Sequence, residues 1–97
     1  MTKPVVLLNG AEADLFAAYE RLQDFGKGEE FYHLINERLD LIQAFPSLGQ
    51  PYLHSHRRIL ELKYSYGIYY RVYPTKIHVS AILPLKIHPS VLQYRLK

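Results

Sequence analysis

Residues that could do chemistry on a charged substrate are concentrated in the C-terminal part of the chain. Residues 57–97 contain eight Lys or Arg and one acidic residue, whereas residues 1–56 contain four basic and eight acidic residues. The two parts therefore carry formal charges of +7 and −4 within an overall net charge of +3. A basic surface of this kind attracts a polyanion or an acidic protein, although surface charge also serves solubility alone.

Aromatic side chains are interleaved with these cations. Residues 63–73 contain five of the nine tyrosines, together with Lys63 and Arg71. Such a stretch is either a buried strand that is rich in tyrosine or a surface for a partner, and the direction of alternate side chains decides between the two. Further on, His78 could transfer a proton near neutral pH, whereas a lone exposed histidine is more often only a surface residue.

Composition excludes or disfavours other kinds of chemistry. The chain has no cysteine, so disulfides and thiolate metal sites are excluded, and we expect a reducing, cytoplasmic location. His54 and His56, with no carboxylate close by in the sequence, are a weak metal signal, and we expect neither a metal nor a cofactor. No apolar run reaches the roughly 20 residues of a membrane span, and the block at residues 5–8 is too short for a secretory signal.

The N-terminal part is predicted to be one strand followed by two helices. Residues 5–8 form a short apolar block, and Asn9 and Glu12 have the spacing of a capping box at a helix start. From Ala11 onward, apolar side chains with helical spacing are Leu15, Ala18, Tyr19 and Leu22. Gly26 has the position of a C-terminal helix stop.

A second helix is predicted from about Glu29. Its apolar stripe consists of Phe31, Leu34, Ile35, Leu39, Ile42 and Phe45. Pro46 ends it, because the residue before a proline avoids the helical region. The turn sequence PSLGQP follows at residues 46–51. Since the connection between the two helices is short, they should form an antiparallel hairpin.

After residue 56 the apolar period changes from 3.6 to 2, which predicts three consecutive antiparallel strands. The side chains predicted to face the helices are Leu60, Leu62, Tyr64, Ile68, Tyr70, Val72, Ile77, Val79, Ala81 and Leu83. Those predicted to face outward are Glu61, Lys63, Tyr69, Arg71, Tyr73, Lys76 and His78. The fold class is therefore α+β: an N-terminal strand, an antiparallel helical hairpin and a three-stranded antiparallel meander packed on the hairpin. Residues 1–97 should form a single domain.

The order of these segments resembles a known family of small bacterial toxins. The matching pieces are AEADLFAAYERL in the first helix, FPSLGQP after the second helix, and RRILELKYSYGIYYRV followed by KIHVSAIL in the strands. Together they resemble the RelE/ParE superfamily of type II toxin–antitoxin (plasmid stabilisation) systems. The resemblance implies a RelE/ParE-like fold and a cognate antitoxin that binds and blocks the toxin. It also implies one of two targets, which are the ribosome with its mRNA for RelE-like members and DNA gyrase for ParE-like members.

RelE-like cleavage of mRNA requires cations that stabilise charge on the phosphate, and groups that accept and donate a proton. The resemblance assigns these catalytic roles to Lys63, Arg71, Lys86 and Tyr94, and the predicted outward direction of His78, near Arg71, adds His78 as a group that could transfer the proton. Each also has a plain structural interpretation, as a surface residue, an ion-pair partner or a packing residue. For contact with a partner protein, the resemblance indicates Arg57, Arg58, Lys63 and Arg71. The first two could equally be a polar start to a strand.

One segment departs from the family. Many members carry a histidine and two arginines after the last strand, where this chain reads ILPLKIHPSVL. Pro84 takes the histidine position, Lys86 and Ile87 replace the arginine pair, and His88 is displaced. Proline cannot transfer a proton, and isoleucine cannot bind phosphate. The departure favours ParE-like inhibition of gyrase over the RelE-like endonuclease, with a catalytically inactive relative as a third interpretation; the oligomeric state stays open.

Overall fold

A computed structural model of the protein describes residues 2–97, so only position 1 of the predicted domain lies outside it. Its elements in chain order are β1 (Val5–Leu7), α1 (Asn9–Gln23), α2 (Gly28–Ala44), β2 (Gln50–Pro51), β3 (Arg57–Glu61), β4 (Tyr66–Val72), β5 (Ile77–Pro84) and α3 (Pro89–Arg95). A short 3-10 turn, Leu53–Ser55, lies between β2 and β3. This order confirms the predicted α+β class and adds a C-terminal helix that the periodicity did not indicate.

Within the described residues, the strands form one mixed sheet in the order β1-β5-β4-β3-β2. β3, β4 and β5 pair antiparallel, which confirms the predicted meander. β1 pairs parallel to β5, with Val5 opposite Ile77 and Leu7 opposite Val79. The N-terminal strand therefore belongs to the same sheet as the meander, although most of the chain separates the two in sequence.

The two helices have the predicted order, and α2 (Gly28–Ala44) agrees with the predicted start near Glu29 and the predicted end before Pro46. Gly26 has a positive φ of 69°, and the amide of Lys27 donates back to the last turn of α1, so a left-handed glycine ends this helix as predicted. The predicted capping box is wrong, because α1 begins at Asn9 itself and no side chain caps it. Leu8 is the N-cap residue, its amide donates to the Val79 carbonyl at 3.0 Å, and its apolar side chain cannot accept a hydrogen bond from the helix.

The face of the sheet that is turned toward α1 and α2 holds the main core. The helices and the sheet both contribute to this core, whose buried side chains are Ala11, Ala18, Phe31, Ile35, Ile42, Tyr66, Ile68, Tyr70, Ile77, Val79 and Ile82. Tyr70 is buried as predicted, and its hydroxyl donates to the Pro46 carbonyl and accepts from the Gly49 amide, both at 2.8 Å. Both partners lie in the PSLGQP turn, so one core tyrosine holds the turn that follows α2.

The predicted side-chain directions are wrong in β3. Leu60 and Leu62 are exposed, Leu62 to 69%, whereas Glu61 is only 2% exposed. The Glu61 carboxylate accepts the backbone amides of Lys63 and Tyr64, at 2.8 and 3.0 Å, in the turn that leads into β4. Because unpaired amides are costly to bury, these hydrogen bonds outweigh the apolar alternation.

A β-bulge changes the direction of side chains halfway along β5. Tyr69 pairs with Ala81 and Tyr70 pairs with Val79, so Ser80 is an extra residue with no counterpart on β4. Val79 keeps the predicted direction toward the helices. Beyond the bulge the alternation is reversed, and Ala81 lies in a second buried cluster on the opposite face.

The face of the sheet opposite the hairpin is covered in part by α3. The second buried cluster consists of Tyr69, Ala81, Leu83, Leu92 and Leu96, with Tyr52, Leu53, Ile87 and Val91 packed against it. The prediction that Tyr69 faces solvent is therefore wrong, as is the prediction that Ala81 and Leu83 face the hairpin. A period of two predicts that alternate residues of a strand lie on opposite faces of the sheet. It does not predict whether a second layer of structure covers the outer face.

Candidate functional site

One polar cluster lies on the face opposite the hairpin, beyond the part that α3 covers. It comprises His56, Arg71, Tyr73, His78 and Ser80, and we refer to it as the Arg71 cluster. β4 supplies Arg71, which is directly opposite His78 of β5. His56 lies just before β3, and Ser80 is the bulge residue of β5. Strand pairing therefore brings His56 and Ser80 into contact although they are 24 positions apart in the sequence.

Arg71 is held at the centre of this cluster by two hydrogen bonds. Its Nη2 group donates to the backbone carbonyl of His54, and its Nη1 group donates to the Tyr73 hydroxyl at 3.4 Å. Its Nε atom is buried and has no hydrogen-bond partner within residues 2–97. Buried donors in proteins are nearly always paired, so this atom is an exception among the described residues.

His56 is a buried base beside Arg71. It is only 4% exposed, with Nδ1 at 3.0 Å from the His54 carbonyl oxygen and Nε2 at 2.8 Å from the Ser80 hydroxyl oxygen. Burial lowers the pKa of His56 below its usual value, and the positive charge of Arg71 lowers it further. The imidazole is therefore neutral at physiological pH.

The segment that supplies the shared carbonyl is strained. His54 and Ser55 have positive φ values of 52° and 64°, a region that residues with a side chain seldom occupy. Each such residue costs on the order of 1 kcal/mol or more, so other contacts must hold the segment in place. Arg71 and His56 supply those contacts, because both donate to the His54 carbonyl.

Tyr73 and His78 form the outer side of the cluster. Their rings meet edge to face, with centroids 5.0 Å apart. Both side chains are half-buried, whereas the neighbouring Lys76 is exposed. Since Tyr70 lies in the core that faces the helices, the alternation along β4 places Arg71 on the opposite face, as predicted.

Lys63 lies at the other end of the sheet, in the turn between β3 and β4. Its Nζ atom forms a salt bridge of 2.7 Å with Glu30 of α2. The hydrogen bonds from Lys63 and Tyr64 lower the pKa of Glu30, and the hydrogen bond to Glu30 raises the pKa of Tyr64 to about 12. The Lys63 ammonium group is therefore paired with a carboxylate at the surface, and an exposed ion pair of this kind contributes little stability.

Lys86 is exposed in the turn after β5, at the same end of the sheet as Lys63. The two turns are adjacent because the Leu85 amide donates to the Ser65 carbonyl at 2.8 Å. At a rise of about 3.3 Å per residue, Arg71 lies about 16 Å further along β4. The predicted cations thus fall into two groups at opposite ends of the sheet.

Tyr94 lies on α3 and is 72% exposed, with Lys97 Nζ 5.1 Å from the centre of its ring. Among the predicted catalytic residues, the structure therefore brings together Arg71 and His78 and places the other three elsewhere: Lys63, Lys86 and Tyr94.

Arg57 and Arg58 are engaged within the chain. Arg57 Nη1 donates to the Gly49 carbonyl at 2.7 Å and to the Ser47 carbonyl at 3.3 Å. The Arg58 guanidinium lies 4.7 Å from the centre of the Tyr52 ring, at cation–π distance. Both arginines hold the segment before β3, and both stay partly exposed, so a partner could still reach them.

The sequence matches no protein-family model and no curated protein. The structure is similar to a solved chain described as "Chromosomal ParDE TA system from P. aeruginosa". The TM-score is 0.77 at 20% sequence identity, and the match covers 87% of this chain and 97% of the other. The chain has the RelE/ParE-like fold. This agreement confirms the fold that the short sequence motifs implied.

A groove of about 630 Å³ lies on the helical side of this RelE/ParE-like fold, between β1, α1 and α2. Its lining residues are Leu7, Glu12, Leu15, Phe16, Tyr19, Glu29 and Tyr32. Phe16 is 63% exposed, so a large apolar ring is in contact with solvent. Sequence reasoning missed the groove because it followed the buried helical stripe. The signal that could have found it is the pair of aromatic residues off that stripe, Phe16 and Tyr32.

His56 and Ser80 are the members of the Arg71 cluster that sequence reasoning did not find. The His-Ser-His motif directed attention to metal binding, but the His56 side chain is turned toward Ser80 while His54 is exposed. No group of three or more potential metal ligands forms in the part of the chain that the structure describes. Across residues 2–97, no helix combines the length and apolarity that a membrane crossing requires.

Proposed function

We propose that this chain is the toxin component of a type II toxin–antitoxin module, acting as a single domain of residues 1–97 in the cytoplasm. The observation that supports this most directly is the similarity of fold to a chain of the ParDE system, over nearly the whole of both chains. The FPSLGQP and YGIYYRV segments support it independently, because they resemble the same family at the sequence level.

The partner that neutralises the toxin is a cognate antitoxin, bound in the groove between α1 and α2. The groove has apolar walls around Phe16, and it carries the carboxylates of Glu12 and Glu29. A segment of the antitoxin with apolar side chains flanked by basic or amide groups would match both features. Such a segment is recognised by its side chains and needs no catalytic group on either protein.

As the target we favour DNA gyrase, which a ParE-like toxin inhibits without chemistry of its own. RNA cleavage needs several groups around one phosphate, whereas Lys63 and Lys86 lie about 16 Å from Arg71 along the sheet. Pro84 stands where a proton-transferring histidine is usual in the family. A binding surface tolerates this dispersal of cations, but a nuclease site does not.

Endonucleolytic cleavage of mRNA at the ribosome is the second candidate, because Arg71, His56 and His78 do lie close together. A guanidinium can stabilise charge on a phosphate, and a neutral imidazole can accept the proton of a 2′-hydroxyl. A relative that keeps the fold without either activity is the third candidate, since one fold can outlast its chemistry.

Controlled expression of the chain in bacteria separates these functions. Inhibition of gyrase predicts filamentous cells and a DNA-damage response, with messages intact. Endonuclease activity predicts cleaved messages and undamaged chromosomes. Normal growth at full expression, without any antitoxin present, would contradict the toxin function and indicate the inactive relative.

Replacement of Lys63→Ala together with Arg71→Ala should abolish toxicity without unfolding the chain. Both side chains are at least partly exposed, and an ion pair at the surface such as that of Lys63 contributes little stability. Lys27→Ala with Arg38→Ala removes the same charge from the start of α2 and from α2 itself, and should leave toxicity unchanged. Full toxicity in a folded, soluble Lys63 and Arg71 variant would show that these cations do not contact the target.

A further inference from the structure

The His56–Ser80 pair has the arrangement of an activated nucleophile. Such sites combine a hydroxyl, a base within hydrogen-bond distance of it, and a third group that orients the base. Here the Ser80 hydroxyl lies 2.8 Å from His56 Nε2, and the His54 carbonyl lies 3.0 Å from His56 Nδ1. All three parts are present within one small region of the open face of the sheet.

The hydrogen bonds determine which nitrogen of His56 carries the proton. A carbonyl oxygen can only accept, so Nδ1 must be the protonated nitrogen that donates to His54. Nε2 is then an unprotonated acceptor, and the Ser80 hydroxyl donates to it. The lone pair of a buried, neutral imidazole is therefore directed at the hydroxyl proton of Ser80.

Ser80 is held in place but is not enclosed. As the bulge residue it lies outside the regular pairing of β4 with β5, and its side chain is half-buried. Its backbone carbonyl accepts from Arg95 Nη2 at 3.3 Å, so the residue is also fixed from the side of α3. Bulges are frequent beside active sites because they turn one side chain away from the regular alternation.

The positive charge of Arg71, beside the His56–Ser80 pair, favours a reactant that is an anion. Arg71 Nη2 and His56 Nδ1 both donate to the His54 carbonyl, so the guanidinium lies directly beside the base. The planar guanidinium offers donors that match the oxygens of a phosphoryl group. A dianionic phosphoryl donor bound by the partly exposed guanidinium would lie on the same face of the sheet as the Ser80 hydroxyl.

We propose that Ser80 is a phosphoacceptor that takes a phosphoryl group from a small acyl phosphate, with His56 as the general base and Arg71 as the cation that binds the group. The bond from Ser80 Oγ to phosphorus forms while the bond from phosphorus to the acyl oxygen breaks. The Ser80 proton passes to His56 Nε2 and then to solvent. The carboxylate leaves with the electron pair of the broken bond, so the products are phosphoserine at position 80 and a free carboxylate.

This modification would change the character of the Arg71 cluster. A phosphoserine carries about −1.5 to −2 charges at neutral pH and forms charge-assisted hydrogen bonds with an adjacent guanidinium. The cluster would change from basic to neutral or acidic. The inference does not rest on the proposed toxin function, because it concerns the chemistry of the isolated chain.

The test is incubation of the purified full chain with acetyl phosphate, followed by mass spectrometry of the intact protein and of its peptides. We expect one phosphoryl group, located on Ser80. Ser80→Ala should abolish the labelling. His56→Gln should slow it at least about tenfold, since a general base contributes about 10²–10⁴-fold.

Ser90 provides a matched control, because it forms a second serine–histidine contact. Its hydroxyl lies 2.9 Å from His88 Nδ1, but this pair is exposed, and the same nitrogen also accepts the Ser90 amide at 3.2 Å. Its base is therefore already occupied, and no strained carbonyl orients it. Ser90→Ala should leave the labelling unchanged.

A further variant tests the proposal even if His56→Gln does not fold. Arg71→Gln changes a partly exposed side chain and should also slow the labelling at least about tenfold, with the fold checked by circular dichroism. The proposal is overturned if Ser80 takes no label, if the label lies chiefly on Ser90, or if the folded variants of His56 and Arg71 label at the rate of the unmodified sequence.

Discussion

At the scale of single residues, Tyr70 joins the core to the turn that follows α2. Its ring is fully buried, and its hydroxyl bonds Pro46 and Gly49. We expect Tyr70→Ala to lower the free energy of unfolding by about 3–5 kcal/mol, because it leaves a cavity and an unpaired amide. Urea denaturation measures this value.

Tyr94→Ala is the matched control, since that tyrosine is largely exposed on α3. Its effect should stay within about 0.5 kcal/mol. An unfolding midpoint that is unchanged by Tyr70→Ala would show that the assigned direction of β4 is wrong.

The basic residues of the C-terminal part differ sharply in their environments. Lys63 is paired with Glu30 at the surface, Arg57 holds a turn, and Arg95 is paired with Asp14. Arg71 has no carboxylate partner among the described residues, and it keeps one buried donor unused. Net charge alone therefore does not identify which cations are available to a ligand, because pairing decides this residue by residue.

At the scale of elements, Arg95 connects α3 to α1 and to β5 through hydrogen bonds. Arg95 donates to both oxygens of Asp14 in α1, at 3.2 and 2.8 Å, and also reaches the Ser80 carbonyl. The Asp14 carboxylate in turn accepts the Ile82 amide at 3.0 Å. β1 ends opposite Val79, so the rest of β5 has no strand partner on that side within the described sheet. Side chains of α1 and α3 satisfy its backbone instead.

Arg95→Met should therefore loosen α3 and lower the free energy of unfolding by about 1–3 kcal/mol, the cost of leaving buried acceptors without a donor. Hydrogen exchange of the α3 amides should become faster than in the unmodified chain. Lys97→Met is the control, because Lys97 is exposed and its Nζ atom lies over the ring of Tyr94. Unchanged exchange and stability in Arg95→Met would show that apolar packing of Leu92 and Leu96 alone holds the helix.

At the scale of the whole molecule, the two sides of the sheet present different surfaces. The helical side has exposed aromatic residues among carboxylates, and the opposite side carries the Arg71 cluster. Two surfaces of different chemistry suit two different partners, and the proposed function requires two, an antitoxin and a target.

If the proposed antitoxin binds this groove, Phe16→Asp should weaken its binding at least tenfold, or about 1.4 kcal/mol by calorimetry, and leave folding intact. Phe25→Asp is the control, since Phe25 is 74% exposed at the connection of α1 and α2 and outside the groove. Equal binding by both variants would place the antitoxin on another surface. Loss of toxicity in Phe16→Asp would assign the groove to the target.

Prediction from the sequence was accurate where local preferences act. Helix spacing, the glycine that ends α1 and the proline after α2 all follow from short-range backbone preferences, and these elements were predicted within a few residues. The directions of Tyr70 and Arg71 also followed from alternation along one strand. The direction of the Glu61 side chain did not follow from alternation. Its carboxylate accepts backbone amides of the next turn, and the pattern of apolar residues gives no information about those hydrogen bonds.

The sequence by itself determined the helical hairpin, the antiparallel meander and the faces on which Tyr70 and Arg71 lie, because neighbouring residues specify these features through their own geometry. Only the tertiary structure decided the parallel position of β1, the bulge at Ser80 and the cover that α3 provides. These features depend on hydrogen bonds and packing between segments that are far apart in the chain. The same long-range pairing makes His56 and Ser80 neighbours, and no local pattern of residues could have indicated it.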